Sequence, residues 1–115
     1  MIHIDKNHDN YVIASFASPV KKLDILVADK IKGLLQEVMA EGKPYLILDL
    51  EKILYIDSSG FGAIISLNNY AKNKDIGFIL CNISEANMAL VKITKLHDIL
   101  KIYKDRSSAV DAMKK

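Results

Sequence analysis

Apolar and polar residues alternate at the start of this chain and then change period. Ile2 and Ile4 share one side of MIHI. In YVIASFA, Tyr11, Ile13 and Ser15 face one way, and Val12, Ala14 and Phe16 face the other. Alternation at period two predicts strands. DKNHDN between them is turn chemistry, since Asn and Asp tolerate left-handed backbone and bond their own main chain. A link this short makes the pair an antiparallel hairpin. SPVKKLD breaks the pattern, because Pro19 has no N–H to give a sheet. Val27, Ile31, Leu34, Leu35 and Val38 then recur at helical spacing through ILVADKIKGLLQEVMAEG, with Asp24 placed to cap the start and Gly42 to end it. Gly33 inside this helix is expected to mark close packing.

PYLILDL is a short continuous apolar run, the pattern of a central parallel strand covered on both faces. EKILYID extends its path to a polar corner, IDSSGFG. A second helix is expected from Ser59 to about Lys72, with Phe61, Ile64, Ile65 and Leu67 apolar and Asn68, Asn69 and Lys72 outside. IGFILCN is another buried strand. SEANMALVKITKL is a third helix, with Ser84 as cap, Glu85 favourable in the first turn, and Met88, Leu90, Val91, Ile93 and Thr94 inward. ILKIY is a last short strand and SSAVDAMKK a last helix with basic residues at its end. Strands that alternate with helices after a hairpin predict an α/β fold with a mixed sheet, in one domain spanning 1–115. Its parallel crossovers are expected to be right-handed.

Composition narrows the function without naming it. Half of the 115 residues are hydrophobic, enough for a packed core, and the net charge is +2 with the signs well mixed. No basic stretch carries interleaved aromatics, so neither nucleic acid nor a membrane surface is expected as a partner. The N-terminus lacks the plan of a signal peptide, and no apolar run approaches the roughly 20 residues of a membrane helix. A cytoplasmic protein is the expectation. The single cysteine, Cys81, lies in an apolar run and is expected as a small core residue. KNKD and the lysine-bearing tail are expected as solvated faces. Tyr11, Tyr45 and Tyr70 are read as packing residues, and Tyr55 as packing in preference to lining a partner surface.

The corner from Asp57 to Gly62 admits two readings. Asp-Ser-Ser before an apolar periodic run is a helix N-cap. A serine at a strand end and helix start is also an exposed hydroxyl, at a place where unpaired amides and the helix dipole favour an anion. A phosphoryl group there would add about −1.5 to −2 charges.

LILDLEKILYIDSSGFGAII resembles the signature of STAS domains, the fold of bacterial anti-sigma factor antagonists. The family pattern is an apolar strand ending in Asp-Leu, a short linker, then Asp-Ser-Ser/Thr-Gly-Leu-Gly and a helix. Leu46 to Gly62 fits it, with Phe61 in place of the usual Leu, and the order of elements fits along essentially the whole chain. The resemblance implies a transcription regulator switched by phosphate. The serine after the aspartate, here Ser58, would be the acceptor. The kinase would be an anti-sigma factor that binds the unmodified form, and a phosphatase would reverse the modification. The implied contact residues are Leu23, Asp24, Asp57, Ser58, Ser59, Gly60, Phe61 and Gly62. Asp57 would shape the corner, Ser59 would cap the helix and Gly60 would leave clearance for the partner. Before the first helix the family usually has Gly-x-Leu-Asp. Leu23, Asp24 and Ala28 match that segment, but Lys21 replaces the glycine and the loop is longer, so the partner surface differs. Some STAS domains serve other regulatory assemblies, which leaves an interaction module without phosphorylation as an alternative.

Other classes fit less well. A phospho-aspartate receiver could use Asp57, but it needs an acidic pair for Mg²⁺ at the end of its first strand. The first apolar runs end in ASFAS, and Asp5 and Asp9 sit in the turn. A serine hydrolase needs a base beside Ser58 or Ser59, and DSSGFG is not Gly-x-Ser-x-Gly. His3, His8 and His97 are dispersed, with His97 read as a surface residue, and with one cysteine they lack metal-ligand spacing. SGFG is too short for a phosphate-binding loop. The reading is therefore a binding protein, not an enzyme, with no cofactor and no metal.

Overall fold

The computed structural model describes residues 2–113. The hairpin forms from β1 (Ile2–Asp5) and β2 (Tyr11–Phe16), paired antiparallel. The first long helix is α1 (Ile25–Ala40), capped by Asp24, whose side chain accepts from the N–H groups of Leu26 and Val27. Gly42 follows its end at φ +105°, the left-handed conformation that suits glycine there. Then come β4 (Tyr45–Asp49), α2 (Ser58–Asn73), β6 (Gly77–Cys81), α3 (Glu85–Ile93), a 3₁₀ turn at Leu96–Asp98, β7 (Lys101–Tyr103) and α4 (Arg106–Met113). Two further strands, β3 (Lys22–Leu23) and β5 (Tyr55–Ile56), lie between these elements.

The main sheet has the order β1-β2-β4-β6-β7, parallel except for the hairpin. Because successive strand residues point to opposite faces, each strand feeds two layers. Val12, Ala14, Leu46, Leu48 and Leu80 pack under Ile31 and Leu35 of α1 and Ile64 and Leu67 of α2. Ile13, Ile47, Ile79 and Cys81 pack on the reverse face against Ala109 of α4. The four residues Leu46–Asp49 are buried, as a central strand covered on both faces requires. Asp49 ends this strand as a buried carboxylate. Its Oδ2 accepts from Arg106 Nε at 2.9 Å and lies 2.8 Å from Arg106 Nη2, and its Oδ1 accepts from Asn82 and from the Glu51 N–H.

Several expectations change. EKILYID does not continue the β4 path. The chain turns at Leu50–Ile53, and β5 pairs with β3 in a separate parallel ribbon. Gly33 is exposed and makes no close approach: a side-chain carbon there would have nothing within 4 Å. Asn68 is buried, because α1 and β6 cover more of α2 than its apolar stripe. On α3 only Asn87 and Val91 are buried, and Leu90, Ile93 and Thr94 face outward. Cys81 is fully buried, and burial, with the nearby Asp49 charge, pushes its thiol up to about 12. The final lysines of the sequence, Lys114 and Lys115, lie outside the described residues. Among the described residues, no helix is long and apolar enough to cross a membrane.

Candidate functional site

The corner is built where the β3–β5 ribbon delivers the chain to α2. Asp57 has extended backbone, and its Oδ1 accepts from Gly60 N–H at 2.9 Å, so Asp57 is the N-cap. Its carbonyl takes the first helical bond, from Phe61 N–H at 3.0 Å. The expectation that Ser59 caps the helix is therefore corrected: an aspartate one residue outside the first turn reaches the third helical amide, and both serines fall inside the helix. Ser58 is its first residue and is exposed. Its hydroxyl stands at the positive end of α2, where the first amides have no partner within the helix.

Gly60 also has a different role. It is buried, and a Cβ there would meet the Leu23 carbonyl oxygen and Ile56 Cγ2. The clearance it gives is internal and lets β3 lie directly on the start of α2. Leu23 is 0% exposed and packs in the core, so it offers no surface to a partner. Asp24 is half-buried, with its carboxylate committed to the α1 cap.

The structure brings Asp57, Ser58, Phe61 and Gly62 together on the wall of one groove, of about 450 Å³. Tyr55, Ile56, Ile65, Leu90, Thr94 and Leu96 complete a predominantly apolar lining. Ser59 turns the other way, into a smaller groove between α1 and α2 with Ile25, Asp29 and Lys32. Around the corner lie large apolar side chains in solvent: Tyr55 is 52% exposed, Leu90 42% and Ile93 77%, and Ile25, Leu26 and Leu54 join them. Tyr55 is thus a groove residue and not core packing.

Leu90 and Thr94 were not legible as site residues, and for Tyr55 a place on a partner surface was only the lesser of two readings. The available signal was that α3 is less cleanly periodic than α1, an apolar surplus with no place in the core. No group of three His, Cys, Asp or Glu suited to a metal occurs among the described residues. His97 is exposed beside Asp98, and His8 stacks on Tyr11 and bonds Asp5, all remote in sequence from the serines.

The family model described as the STAS domain matches residues 5–109. The anti-sigma-B factor antagonist of Listeria monocytogenes is 27% identical over 81 residues, covering 70% of this chain and 71% of that protein. The crystal structure of a candidate anti-sigma factor antagonist from Thermotoga maritima is 26% identical. It superposes with a TM-score of 0.83 over 96% of this chain and 92% of its own. The Bacillus cell fate determinant SpoIIAA in its phosphorylated form has a TM-score of 0.73 over 98% and 99% of the two chains. At 17% identity that likeness is one of fold.

Proposed function

Because the chain belongs to the STAS domain family, we propose that it is an anti-sigma factor antagonist whose docking is switched by phosphorylation of Ser58. Residues 1–115 act as a single domain in the cytoplasm, as a binding protein with no catalysis of its own. The observation that carries this reading is the placement of the exposed Ser58, the first residue of α2, on the wall of a predominantly apolar groove.

In the unmodified state the partner, an anti-sigma factor with serine kinase activity, covers Tyr55, Phe61, Ile65 and Leu90. Burial of apolar surface supplies the affinity, at roughly 25 cal/mol per Å² before the costs of association. Phosphate on Ser58 places a dianion on that surface. The helix N-terminus tolerates it in the free protein. The groove lining holds no cation to pair with it, and its one charged side chain, Asp57, has the same sign. Covering the dianion therefore costs more than the groove returns, and the partner leaves until a phosphatase restores the hydroxyl. Support also comes from the neighbour of the same fold that exists in a phosphorylated form.

The contact surface comprises Asp57, Ser58, Phe61 and Gly62 with Tyr55, Ile65 and Leu90, and with Ser59 and Asp24 at its margin. The test is phosphopeptide mass spectrometry on the protein isolated from its own cells, with the segment from Tyr55 to Lys72 localised residue by residue. Phosphate is expected on Ser58. No phosphate on this segment across growth and stress conditions would refute the switch and leave a constitutive interaction module.

A further inference from the structure

One polar side chain sits on the inner face of α3. Asn87 is 2% exposed, and Val91, one turn on, is the other buried residue of that helix. The Asn87 side chain reaches the backbone of β5: its Oδ1 accepts from Ile56 N–H at 3.2 Å, and its Nδ2 donates to the Leu54 carbonyl at 3.4 Å. The ribbon partner of β5 is β3. The amide thus supplies one acceptor and one donor to β5, as a further strand would. A two-residue strand has little stability alone, and Asp57 and Ser58 follow it directly. The Asn87 backbone N–H also donates to the Ser84 Oγ that caps α3, a bond separate from those its side-chain amide makes. Leu90 of the same helix and Thr94 at its C-cap line the groove with Tyr55 and Phe61. One side chain therefore ties the α3 wall of the groove to the strand that delivers Ser58.

We propose that Asn87 is the positioning residue of the Ser58 site: it fixes β5 so that Ser58, and not Ser59, is presented for modification. The proposal rests on the reading of Ser58 as the acceptor. Truncation at position 87 leaves the N–H of Ile56, a residue only 1% exposed, without its partner, and frees the Leu54 carbonyl. β5 then detaches from α3, and the two serines at the start of α2 lose their fixed orientation.

The test uses the full chain with Asn87→Ala, and with Ser84→Ala as the control that weakens the α3 cap but keeps the side-chain amide. Native-state hydrogen exchange by NMR reports Ile56 N–H against Ile47 N–H in the central strand. In Asn87→Ala the Ile56 amide should exchange about tenfold faster relative to Ile47, the change expected for one lost buried hydrogen bond. Ser84→Ala should leave the ratio unchanged. In cells expressing each form at matched level, phosphate should stay on Ser58 in the wild type and in Ser84→Ala, and spread to Ser59 in Asn87→Ala. Where Asn87→Ala does not fold, Asn87→Ser carries the same two expectations. An unchanged exchange ratio, or phosphate confined to Ser58 in both position-87 variants, overturns the proposal. Faster Ile56 exchange with no phosphate on either serine of the wild type supports the clamp and overturns the Ser58 reading instead.

Discussion

Gly60→Ala should destabilise the protein at a position where helix propensity alone favours alanine. Replacing an interior helical glycine with alanine ordinarily gains about 1 kcal/mol. Here the new Cβ would run into the Leu23 carbonyl oxygen and lie 2.8 Å from Ile56 Cγ2 and 3.0 Å from Leu23 Cγ. The first obstacle is the backbone of β3, which pairs with β5 and cannot withdraw without moving the corner. Overpacking at such a site costs about 1–3 kcal/mol, occasionally more. A backbone obstacle puts this case at the upper end, so the net loss should be about 2 kcal/mol. Gly62 and Gly33 are the controls. A Cβ at either meets nothing within 4 Å, so Gly62→Ala and Gly33→Ala should each gain up to about 1 kcal/mol. Urea unfolding followed by circular dichroism separates the cases. With a slope of about 1–3 kcal/mol per M, the midpoint of Gly60→Ala should fall by roughly 1 M, while the other two rise. A Gly60→Ala midpoint at or above wild type would refute the close approach of β3 to α2.

Three other outcomes follow from the same geometry. Asp57→Ala should cost about 1 kcal/mol through loss of the α2 cap, and Ser59→Ala should be near neutral; a larger fall in the thermal melt of Ser59→Ala than of Asp57→Ala would put the cap back on Ser59. Asp49→Ala removes the acceptor shared by Arg106, Asn82 and the Glu51 N–H. Since the Arg106 side chain is 46% exposed and regains water, the loss should be about 2 kcal/mol, from the hydrogen bonds removed, with the hydrogen-exchange protection of Ala109 in α4 falling more than that of Ile64 in α2; equal loss at both would argue against a local tether. Because the Cys81 thiol is raised from 9.0 to about 12, its burial stabilises the fold fully below pH 9, and that contribution is lost as pH rises from 9 toward 12. Unfolding midpoints of the wild type should fall more steeply across that window than those of Cys81→Ala, and parallel slopes would refute the burial effect.

The main sheet was readable because its signals are local and strong. Alternation in YVIASFA and the unbroken run YLILD each name a strand and its degree of cover. The caps at Asp24 and Ser84 also read correctly, since each side chain bonds amides two or three residues away. What failed depends on contacts distant in sequence. The β3–β5 ribbon has two residues per strand, too few for any period to register. Gly60 looked like room for a partner, yet the neighbour that needs the room is Leu23, far back along the chain. Tyr55 was assigned to packing by residue type, and only the path of the turn at Leu50–Ile53 sets it in solvent. Asn87 carried a legible signal, an amide one helical turn from the buried Val91. The donor and the acceptor its side chain meets, Ile56 N–H and the Leu54 carbonyl, lie 31 and 33 residues away.

The ribbon that carries the corner is fastened to the start of α2 and to α3, not to the edge of the five-stranded sheet. The exposed run Ala17–Pro19 and the residues after it therefore join two separately anchored pieces. Length added to such a run changes closure entropy only slowly and shifts no register in the main sheet. Insertions and deletions beside the serine can thus accumulate in one lineage and not in another while the core remains intact. Related chains could diverge in whom they recognise without renegotiating how they fold.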